Sequence, residues 1–225
     1  MCATARQVWK GEDRTREEQL LLQGLVSLEE KLQQLKIHKN KSINIFAAVG
    51  MSRQEVKHSA FLAWLLTPFA SGVQHGMGNK FLKHWLELLF MHPNTDQPEP
   101  ELKSNRQILS GAGISSMDDF APLLSASDVV VETERVILDP ESRIDIMITS
   151  KSAQTVIVIE NKVGTTTHDD QLTRYEQKEV NQNAALNGWK KVFVYLTPFG
   201  DHPYEYRAEA ERDVYNPSWC VYSYG

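Results

Sequence analysis

The chain has 225 residues, of which 41% are hydrophobic and 24% charged, and its formal net charge is −5 at pH 7. These values predict a globular protein with one domain, or one domain with a helical extension, that is long enough to bury a substantial core. The two cysteines, Cys2 and Cys220, exclude a disulfide framework or a cluster of zinc-binding cysteines and favour a reducing, cytoplasmic compartment. We expect no signal peptide and no membrane partner, because the N-terminus has no apolar core and no apolar run approaches about 18 residues. The negative charge argues against nonspecific binding of nucleic acid by the whole surface and leaves a local basic groove open.

The N-terminal 41 residues are predicted to form a helical extension. Thr15 and Glu18 have the spacing of a capping box, and the helix that they start should run to about Lys36. Leucines recur there at alternating four- and three-residue steps and form a narrow apolar seam, which consists of Leu21, Leu25, Leu28, Leu32 and Leu35. The seam either packs on its own domain or joins the helix to a partner protein or to a second copy of the chain.

A second capping box, Ser52 to Glu55, predicts a helix that must end near Pro68. In this pattern Glu55 occupies the N3 position, where a glutamate stabilises the start of a helix without taking part in any chemistry. His58 and Ser59 are not followed by an acidic residue that would complete a hydrolase triad, so we do not expect that chemistry.

The next predicted helix covers residues 81–91, which are mostly apolar on one side. Residues 92–127 are polar, with proline and glycine at both ends, and predict a long connection with one helical turn near 120–124. This connection is interpreted as a lid, a substrate loop or an insertion. A first strand is then predicted over about 128–138.

Two alternating segments after this strand predict a β-hairpin. The first arm, residues 143–148, places its isoleucines on one face and Asp145 on the other. The second arm, residues 155–162, places Glu160 and Lys162 together on one face. Both arms are rich in β-branched residues, and the short polar segment between them suits a hairpin turn.

The register of this hairpin determines which charged groups meet. A turn centred between Ser152 and Ala153 places Asp145 opposite Glu160. Like charges at directly opposed positions, whose Cβ atoms are about 5 Å apart, are destabilising, and a divalent cation would compensate them. Lys162, about 6.6 Å further along the same face, can reach the same place. In the alternative interpretation, Asp145 is a polar residue at a strand end and Glu160 pairs with a nearby lysine or arginine.

A helix is predicted to follow the hairpin over about 169–186. Gln171 and Tyr175 are four residues apart and share one face of it, and Arg174 is adjacent. If this helix packs beside the hairpin, these polar groups point at the carboxylates. Alternatively, Tyr175 belongs to the core and Gln171 to the surface.

The remaining chain is predicted to complete the sheet. Residues 191–196 are predicted to form a fully buried strand, which indicates a central strand parallel to a neighbour. Residues 201–216 are charged and are predicted to form a loop. Residues 219–224 are predicted to form a last strand.

Several of these residues, taken together, are similar to a known pattern. Asp145, followed at the end of the next strand by Glu160–Lys162, resembles the PD-(D/E)XK nuclease motif. Ile144 stands where the family name has a proline, a position that varies within the superfamily. Gln171 and Tyr175 resemble the QxxxY element of the RecB-like branch.

A second part of the resemblance lies in the helix before the sheet. Glu55, His58 and Ser59 resemble the E-x-x-H-S helix of one subfamily, in which the glutamate faces the metal site. Glu134 resembles a glutamate on the first core strand of that subfamily. In the alternative interpretation, Glu134 is an exposed glutamate on a strand.

The resemblance implies an α/β fold with a restriction-endonuclease-like core, in which helices flank a mixed central sheet. This nuclease-like domain is expected over residues 42–225, with an insertion at about 92–127, and the N-terminal helical extension over residues 1–41.

The resemblance also implies the chemistry of the site. The implied ligands of Mg²⁺ or Mn²⁺ are Asp145, Glu160, the Asn161 carbonyl and Glu55. The implied catalytic set is Asp145, Glu160, Lys162, Glu55, Gln171 and Tyr175, with Lys162 orienting or deprotonating the attacking water. Gln171 and Arg174 are the implied substrate-binding residues, through the phosphate backbone.

The resemblance implies a divalent-metal-dependent nuclease that hydrolyses phosphodiester bonds in DNA. Analogy with relatives of this pattern suggests a role in defence against foreign DNA. Two alternatives stay open. One is an inactive nuclease-like subunit that binds nucleic acid or scaffolds a larger complex, and the other is a nuclease that acts on RNA. The intact Asp145, Glu160 and Lys162 favour an enzyme over a scaffold.

Overall fold

The computed structural model describes residues 54–68, 75–92, 102–136, 143–163, 170–207 and 210–223. All of them belong to one compact unit, Met51–Gly225. The predicted N-terminal helix with its seam from Leu21 to Leu35 lies outside the described residues, as do Ser52 and the proposed boundary near residue 42. The stretches 93–101 and 164–169, which flank predicted elements, lie outside them as well.

Helices come first along the described chain. They are α1 (Glu55–Leu66), α2 (Lys80–Met91), α3 (Asn105–Gly111), a 3₁₀ turn (Met117–Phe120) and α4 (Ala121–Ser125). The prediction of α2 is confirmed, and α1 ends just before Pro68 as expected. Because α1 begins at Glu55 with Gln54 as its N-cap, the prediction of Glu55 at the N3 position is wrong. No described helix has both the length and the apolar character needed to span a bilayer.

A five-stranded mixed sheet forms the centre of the fold. Its strands are β1 (Val130–Arg135), β2 (Ile144–Ser150), β3 (Thr155–Asn161), β4 (Lys190–Thr197) and β7 (Trp219–Ser223), in the order β1-β2-β3-β4-β7. The first three strands are antiparallel, and β3, β4 and β7 are parallel to one another. The predicted central, parallel position of the strand over 191–196 is therefore confirmed.

The other elements lie after β3. Helix α5 (Gln171–Arg174) continues as a π-helical segment (Tyr175–Asn181), and a 3₁₀ turn (Ala184–Leu186) follows. Strands β5 (Tyr204–Arg207) and β6 (Arg212–Tyr215) pair only with each other and form a separate hairpin.

Apolar side chains cover both faces of the central sheet. On one face, residues such as Ile146, Ile157 and Val194 pack against the helices α1 to α4. On the other face, residues such as Val158 and Phe193 pack against α5 and its extension. The result is a mixed sheet between two helical layers, which confirms the predicted α/β, restriction-endonuclease-like fold.

The hairpin register is the predicted one. The pairs run from Ile146 with Ile159 to Ser150 with Thr155, so the next step along the ladder brings Asp145 opposite Glu160. The predicted alternation fails at one position, because Ile144 packs with the face opposite that of the other isoleucines. This break lies beside a left-handed residue of β1, Glu134, whose φ is 52°. Non-glycine residues are uncommon in the left-handed region of backbone conformation, and those that adopt it concentrate at functional sites.

Two polar segments are more structured than their sequence suggests. The expectation of a single helical turn within 92–127 is wrong, because α3, the 3₁₀ turn and α4 lie there and bury residues such as Leu109 and Phe120 in the core. The expectation of a loop over 201–216 is also wrong, because β5 and β6 form a hairpin there. The elements in both segments are short, so a few apolar residues are enough to anchor each of them.

The open edge of β7 is closed by one side chain. Asn105, which is completely buried, accepts the Val221 N–H at 2.9 Å and donates to the Val221 carbonyl at 2.7 Å and to the Leu89 carbonyl at 2.9 Å. Its amide thus takes the place of a neighbouring strand and satisfies backbone groups that an edge strand leaves unpaired.

We predict that Asn105→Ala lowers the free energy of unfolding by about 3 kcal/mol, because buried backbone groups lose their partners. The exposed Asn181 provides the matched control, and Asn181→Ala should change stability by less than about 0.5 kcal/mol. Chemical denaturation of the three proteins measures both values. An equal effect of the two substitutions would show that Asn105 does not hold the edge.

Candidate functional site

The candidate site lies where β2 begins and β3 ends. The ladder between these strands stops at Ile146 and Ile159, and the next residues on each strand are Asp145 and Glu160. Asp145 accepts the Asn161 N–H at 2.8 Å through Oδ2, so its side chain takes over from a backbone partner at the end of the ladder. The hairpin geometry therefore brings two carboxylates to the same point.

Glu160 is the most buried acidic group of this cluster, with 1% of its surface exposed. Its Oε1 lies 2.7 Å from Lys162 Nζ and accepts from Gln171 Nε2 at 2.8 Å. Its Oε2 is buried and has no hydrogen-bond partner among the described residues. A buried carboxylate oxygen without a partner is costly, so this atom identifies the position where a ligand would be stabilised.

Burial is the main cause of an upward shift in the pKa of both carboxyls. It raises the pKa of Asp145 to about 6, against the opposing effects of the Asn161 N–H and Lys162. It raises the pKa of Glu160 to about 8, and the neighbouring Asp145 charge adds to this shift. Two carboxylates that share a poorly solvated site cannot both ionise easily, so the site holds protons near neutral pH.

Lys162 keeps its positive charge in this environment. Burial alone would lower the pKa of Lys162, but the adjacent Glu160, followed by Asp145 and Glu55, raises it. The carboxylate charges thus raise the pKa of Lys162, and the neighbouring carboxylate charge adds to the upward shift that burial causes in each acid, since the cluster contains more negative than positive charge. Such a cluster favours the binding of a cation.

The predicted contribution of α5 is present in the structure. Gln171 Nε2 donates to Glu160 Oε1 and also to the Tyr175 hydroxyl at 2.9 Å, which donates in turn to the Arg143 carbonyl at 2.6 Å. Tyr175 is also part of the core beneath the site, with 2% of its surface exposed. One side chain thus combines the two predicted alternatives, and the chain of hydrogen bonds joins α5 to both arms of the hairpin.

Helix α1 contributes Glu55 from the opposite side of the sheet end. Glu55 Oε1 accepts the Val163 N–H at 2.7 Å, directly after Lys162. Its charge is close enough to raise the pKa of both Asp145 and Glu160. Glu55 therefore lies at the periphery of the cluster, and it fixes the first turn of α1 to the end of β3.

Arg174 and Glu134 lie at the margin of the cluster. Arg174 is half-buried, and its Nε has no hydrogen-bond partner among the described residues. Glu134, the left-handed residue of β1, lies 4.0 Å from Arg143 and raises the pKa of Asp145 through its charge. Contacts thus join most of the predicted site at one end of the sheet, and Arg174 lies on the same helix as Gln171.

Sequence reasoning missed two neighbours of this cluster. Ser59 is completely buried and accepts from Asn161 Nδ2 at 2.9 Å, so it orients the residue between the two charged groups of β3. Tyr195 pairs with Glu160 across β3 and β4, and burial together with the Glu160 charge raises its pKa. The E-x-x-H-S pattern includes Ser59 but assigns it no role, and a tyrosine in an apolar strand carries no signal that separates it from ordinary core residues.

The site can be tested for its fit to a metal ion. Within the described ranges, no three His, Cys, Asp or Glu side chains converge to form a ready-made metal centre. Magnesium needs only one or two carboxylates, because it retains several waters. Glu160 Oε2, which has no hydrogen-bond partner in the part of the chain that the structure describes, and the neighbouring Asp145 are oxygen donors of the kind that Mg²⁺ and Mn²⁺ prefer. The residues present therefore fit a hard divalent cation.

Comparison with known proteins agrees with this geometry. The sequence matches the family model of the PD-(D/E)XK nuclease superfamily over residues 43–224. Comparisons with curated proteins and with solved structures give no match. The matched range includes the whole central sheet and the cluster at its end. On this evidence, the chain belongs to the PD-(D/E)XK nuclease superfamily.

Proposed function

We propose that the protein is a divalent-metal-dependent nuclease that hydrolyses phosphodiester bonds in DNA. The observation that supports this most directly is the buried Glu160 Oε2, without a hydrogen-bond partner among the described residues, beside Asp145 and Lys162. A carboxylate pair that can hold a metal ion, beside a lysine that can stabilise developing negative charge, suits metal-assisted phosphodiester cleavage. Gln171 and Tyr175 serve as the QxxxY element of a RecB-like nuclease.

Asp145, Glu160 and the Asn161 carbonyl would hold the ion, with Glu55 accepting from a water at its edge. When bound, Mg²⁺ or Mn²⁺ supplies charge neutralisation on the phosphoryl oxygens and a more acidic water. The buried oxygen of Glu160 has no competing donor among the described residues, which supports its role as a ligand.

We assign to Lys162 the stabilisation of the negative charge that develops during cleavage. Its Nζ, 2.7 Å from Glu160 Oε1, is held at the site by an ion pair with only 9% of the side chain exposed. A fixed, poorly solvated ammonium stabilises developing negative charge more strongly than one in bulk water. Lys162 would also orient the attacking water.

Gln171 and Tyr175 keep Glu160 in place, and Arg174 would contact a backbone phosphate of the substrate. Arg174 directly precedes Tyr175, and its half-buried guanidinium supplies positive charge for such a contact. Phosphate contacts position a nucleic acid without reading its sequence.

The biological setting is proposed by analogy with other proteins of this motif. We place the enzyme in the cytoplasm, in defence against foreign DNA, with the seam from Leu21 to Leu35 as the contact to a partner protein or a second copy. The net charge of −5 supports substrate binding by a local surface rather than by the whole molecule.

We predict that Lys162→Ala lowers the rate of DNA cleavage at least about 100-fold while the protein stays folded. The assay uses supercoiled plasmid and linear DNA with Mg²⁺, Mn²⁺ or EDTA, and nicking or degradation from ends reveals the mode of cutting. The exposed Lys151, at the tip of the same hairpin, is the matched control, and Lys151→Ala should cut normally.

Three results would lead away from this proposal. An unfolded Lys162→Ala protein, as seen by circular dichroism, would make Lys162 a structural residue. A wild-type protein that binds Mn²⁺ and cuts RNA but not DNA would transfer the activity to RNA. A folded protein that neither cuts nor binds a metal would favour the nuclease-like scaffold.

Metal affinity should rise between about pH 5.5 and pH 8.5, because an ion binds the ionised carboxylates of Asp145 and Glu160, whose pKa values burial raises to about 6 and about 8. Calorimetric titration with Mn²⁺ should show affinity increasing about tenfold or more, with release of protons. Asp145→Asn should remove the increase in Tm that Mn²⁺ causes, whereas Asp213→Asn, on the exposed face of β6, should keep it. Equal Mn²⁺ affinities of the wild-type protein at about pH 5.5 and pH 8.5 would contradict this assignment.

Without metal, stability should change in the opposite direction over the same range. Each of the two carboxyls has a folded-state pKa above its usual value, so its contribution to stability is complete below the usual value and is lost as the pH rises through the folded pKa. The Tm of the metal-free protein should therefore fall between about pH 5 and pH 8. Glu160→Gln, which cannot ionise, should flatten this dependence, and an unchanged slope would exclude Glu160 as its source.

A further inference from the structure

A second buried glutamate lies outside the catalytic cluster. Glu205 belongs to β5, in the separate hairpin that does not join the central sheet, and none of its surface is exposed. The exposed residues on either side of it, Tyr204 and Tyr206, show that only the face with Glu205 is turned inward. A fully buried carboxylate is rare unless it is paired, so its partners identify its role.

The partners of Glu205 come mainly from the first turn of α5. Glu205 Oε2 accepts the Leu172 N–H at 2.9 Å and the Thr173 N–H at 3.1 Å. Glu205 Oε1 accepts from the Thr173 hydroxyl in a short hydrogen bond and from Arg207 at 3.1 Å. Asn216 contributes a longer contact of 3.5 Å. Both oxygens of this carboxylate are therefore satisfied by the protein.

Helix α5 has no cap of its own. Its N-cap residue, Asp170, has a left-handed backbone with φ of 49° and makes no capping hydrogen bond with its side chain. The first N–H groups of a helix need acceptors from outside the helix, and a carboxylate is a favourable one. Glu205 supplies this cap from a distant part of the chain, so the direction of the first turn depends on the β5–β6 hairpin.

This first turn carries the group that supports the metal ligand. Gln171 directly precedes the two residues whose N–H groups Glu205 binds, and its Nε2 lies 2.8 Å from Glu160 Oε1. The same hairpin also accepts the Asp170 N–H through the Tyr206 carbonyl at 3.4 Å. The β5–β6 hairpin thus holds both the last residue before α5 and its first turn.

We propose that Glu205 is a positioning residue of the nuclease site, which acts through Gln171 on Glu160. This inference rests on the proposed function, because it assigns Glu205 to the orientation of a catalytic carboxylate. Misplacement of a catalytic group by about 1 Å is sufficient to reduce a rate by about 100-fold. The β5–β6 hairpin, which lies outside the central sheet, therefore controls the geometry at the catalytic end of that sheet.

The test is Glu205→Gln, which keeps the size of the side chain but turns an amide group toward a donor of α5. We expect the rate of DNA cleavage to fall about 10- to 100-fold, while the affinity for Mn²⁺ stays within about threefold. The matched control is Asp213→Asn, which removes one negative charge from the exposed face of the same hairpin and should leave cleavage unchanged. If Glu205 acts through Gln171, Gln171→Ala and the double variant should lose activity equally.

A readout that needs no catalysis separates this inference from the proposed function. The side-chain amide signals of Gln171 in NMR spectra report its hydrogen bonds to Glu160 and Tyr175. They should shift in Glu205→Gln and stay in place in Asp213→Asn. A wild-type protein that cuts no nucleic acid would overturn the proposed function, and the Gln171 signals would still test the link from Glu205.

Several results would overturn the inference. Normal cleavage by Glu205→Gln would do so, as would unshifted Gln171 signals or additive losses in the double variant. A loss of Tm with an unchanged cleavage rate would make Glu205 structural only. If Glu205→Gln does not fold, Thr173→Val, which removes one donor to Glu205 without leaving a buried charge unpaired, should show the same changes at a smaller size, and their absence would reject the link.

Discussion

The close approach of Asp145 and Glu160 is the constraint on which the rest of the site depends. Two carboxylates in a poorly solvated place repel each other, and each must also lose water to be there. The protein offsets this cost with the ammonium of Lys162, the Asn161 N–H and the amide of Gln171. These groups reach only part of the carboxylate oxygens, and both pKa values remain high. The cluster therefore keeps a net negative charge, which either a divalent cation or a proton can neutralise.

The fold delivers these groups by means of strand ends rather than loops. Asp145 and Glu160 lie where the ladder of β2 and β3 stops, and the parallel strand β4 continues past this point beside β3. Strands fix side-chain directions more firmly than loops do, because each residue alternates between two faces of a paired ladder. Helices α1 and α5 then approach from the two faces of the sheet and contribute the polar side chains of Glu55 and Gln171. The cluster therefore needs the whole three-layer arrangement.

The sequence could predict the part of this arrangement that follows from the alternation of side chains along a β-strand. The alternation in 143–148 and 155–162, with a polar turn between, was enough to predict the register that places Asp145 opposite Glu160. The break at Ile144 could not be predicted, because it accompanies a left-handed backbone at Glu134 that residue type does not encode. The β5–β6 hairpin was missed for a different reason. Its strands have four residues each, and their inward face buries a glutamate instead of an apolar side chain.

The contrast between the two buried glutamates distinguishes structural from chemical use of the same side chain. Glu205 accepts hydrogen bonds on both oxygens, from backbone, hydroxyl and guanidinium groups, as a residue whose task is to hold a helix should. Among the described residues, Glu160 finds donors for one oxygen only, although it is equally buried. If Glu160 served the fold alone, a hydrogen-bond donor at Oε2 or an apolar side chain in its place would be more stable, since a half-satisfied buried carboxylate costs free energy. Binding of a divalent cation at this oxygen, as proposed above, would account for the stability that the protein forgoes at Glu160.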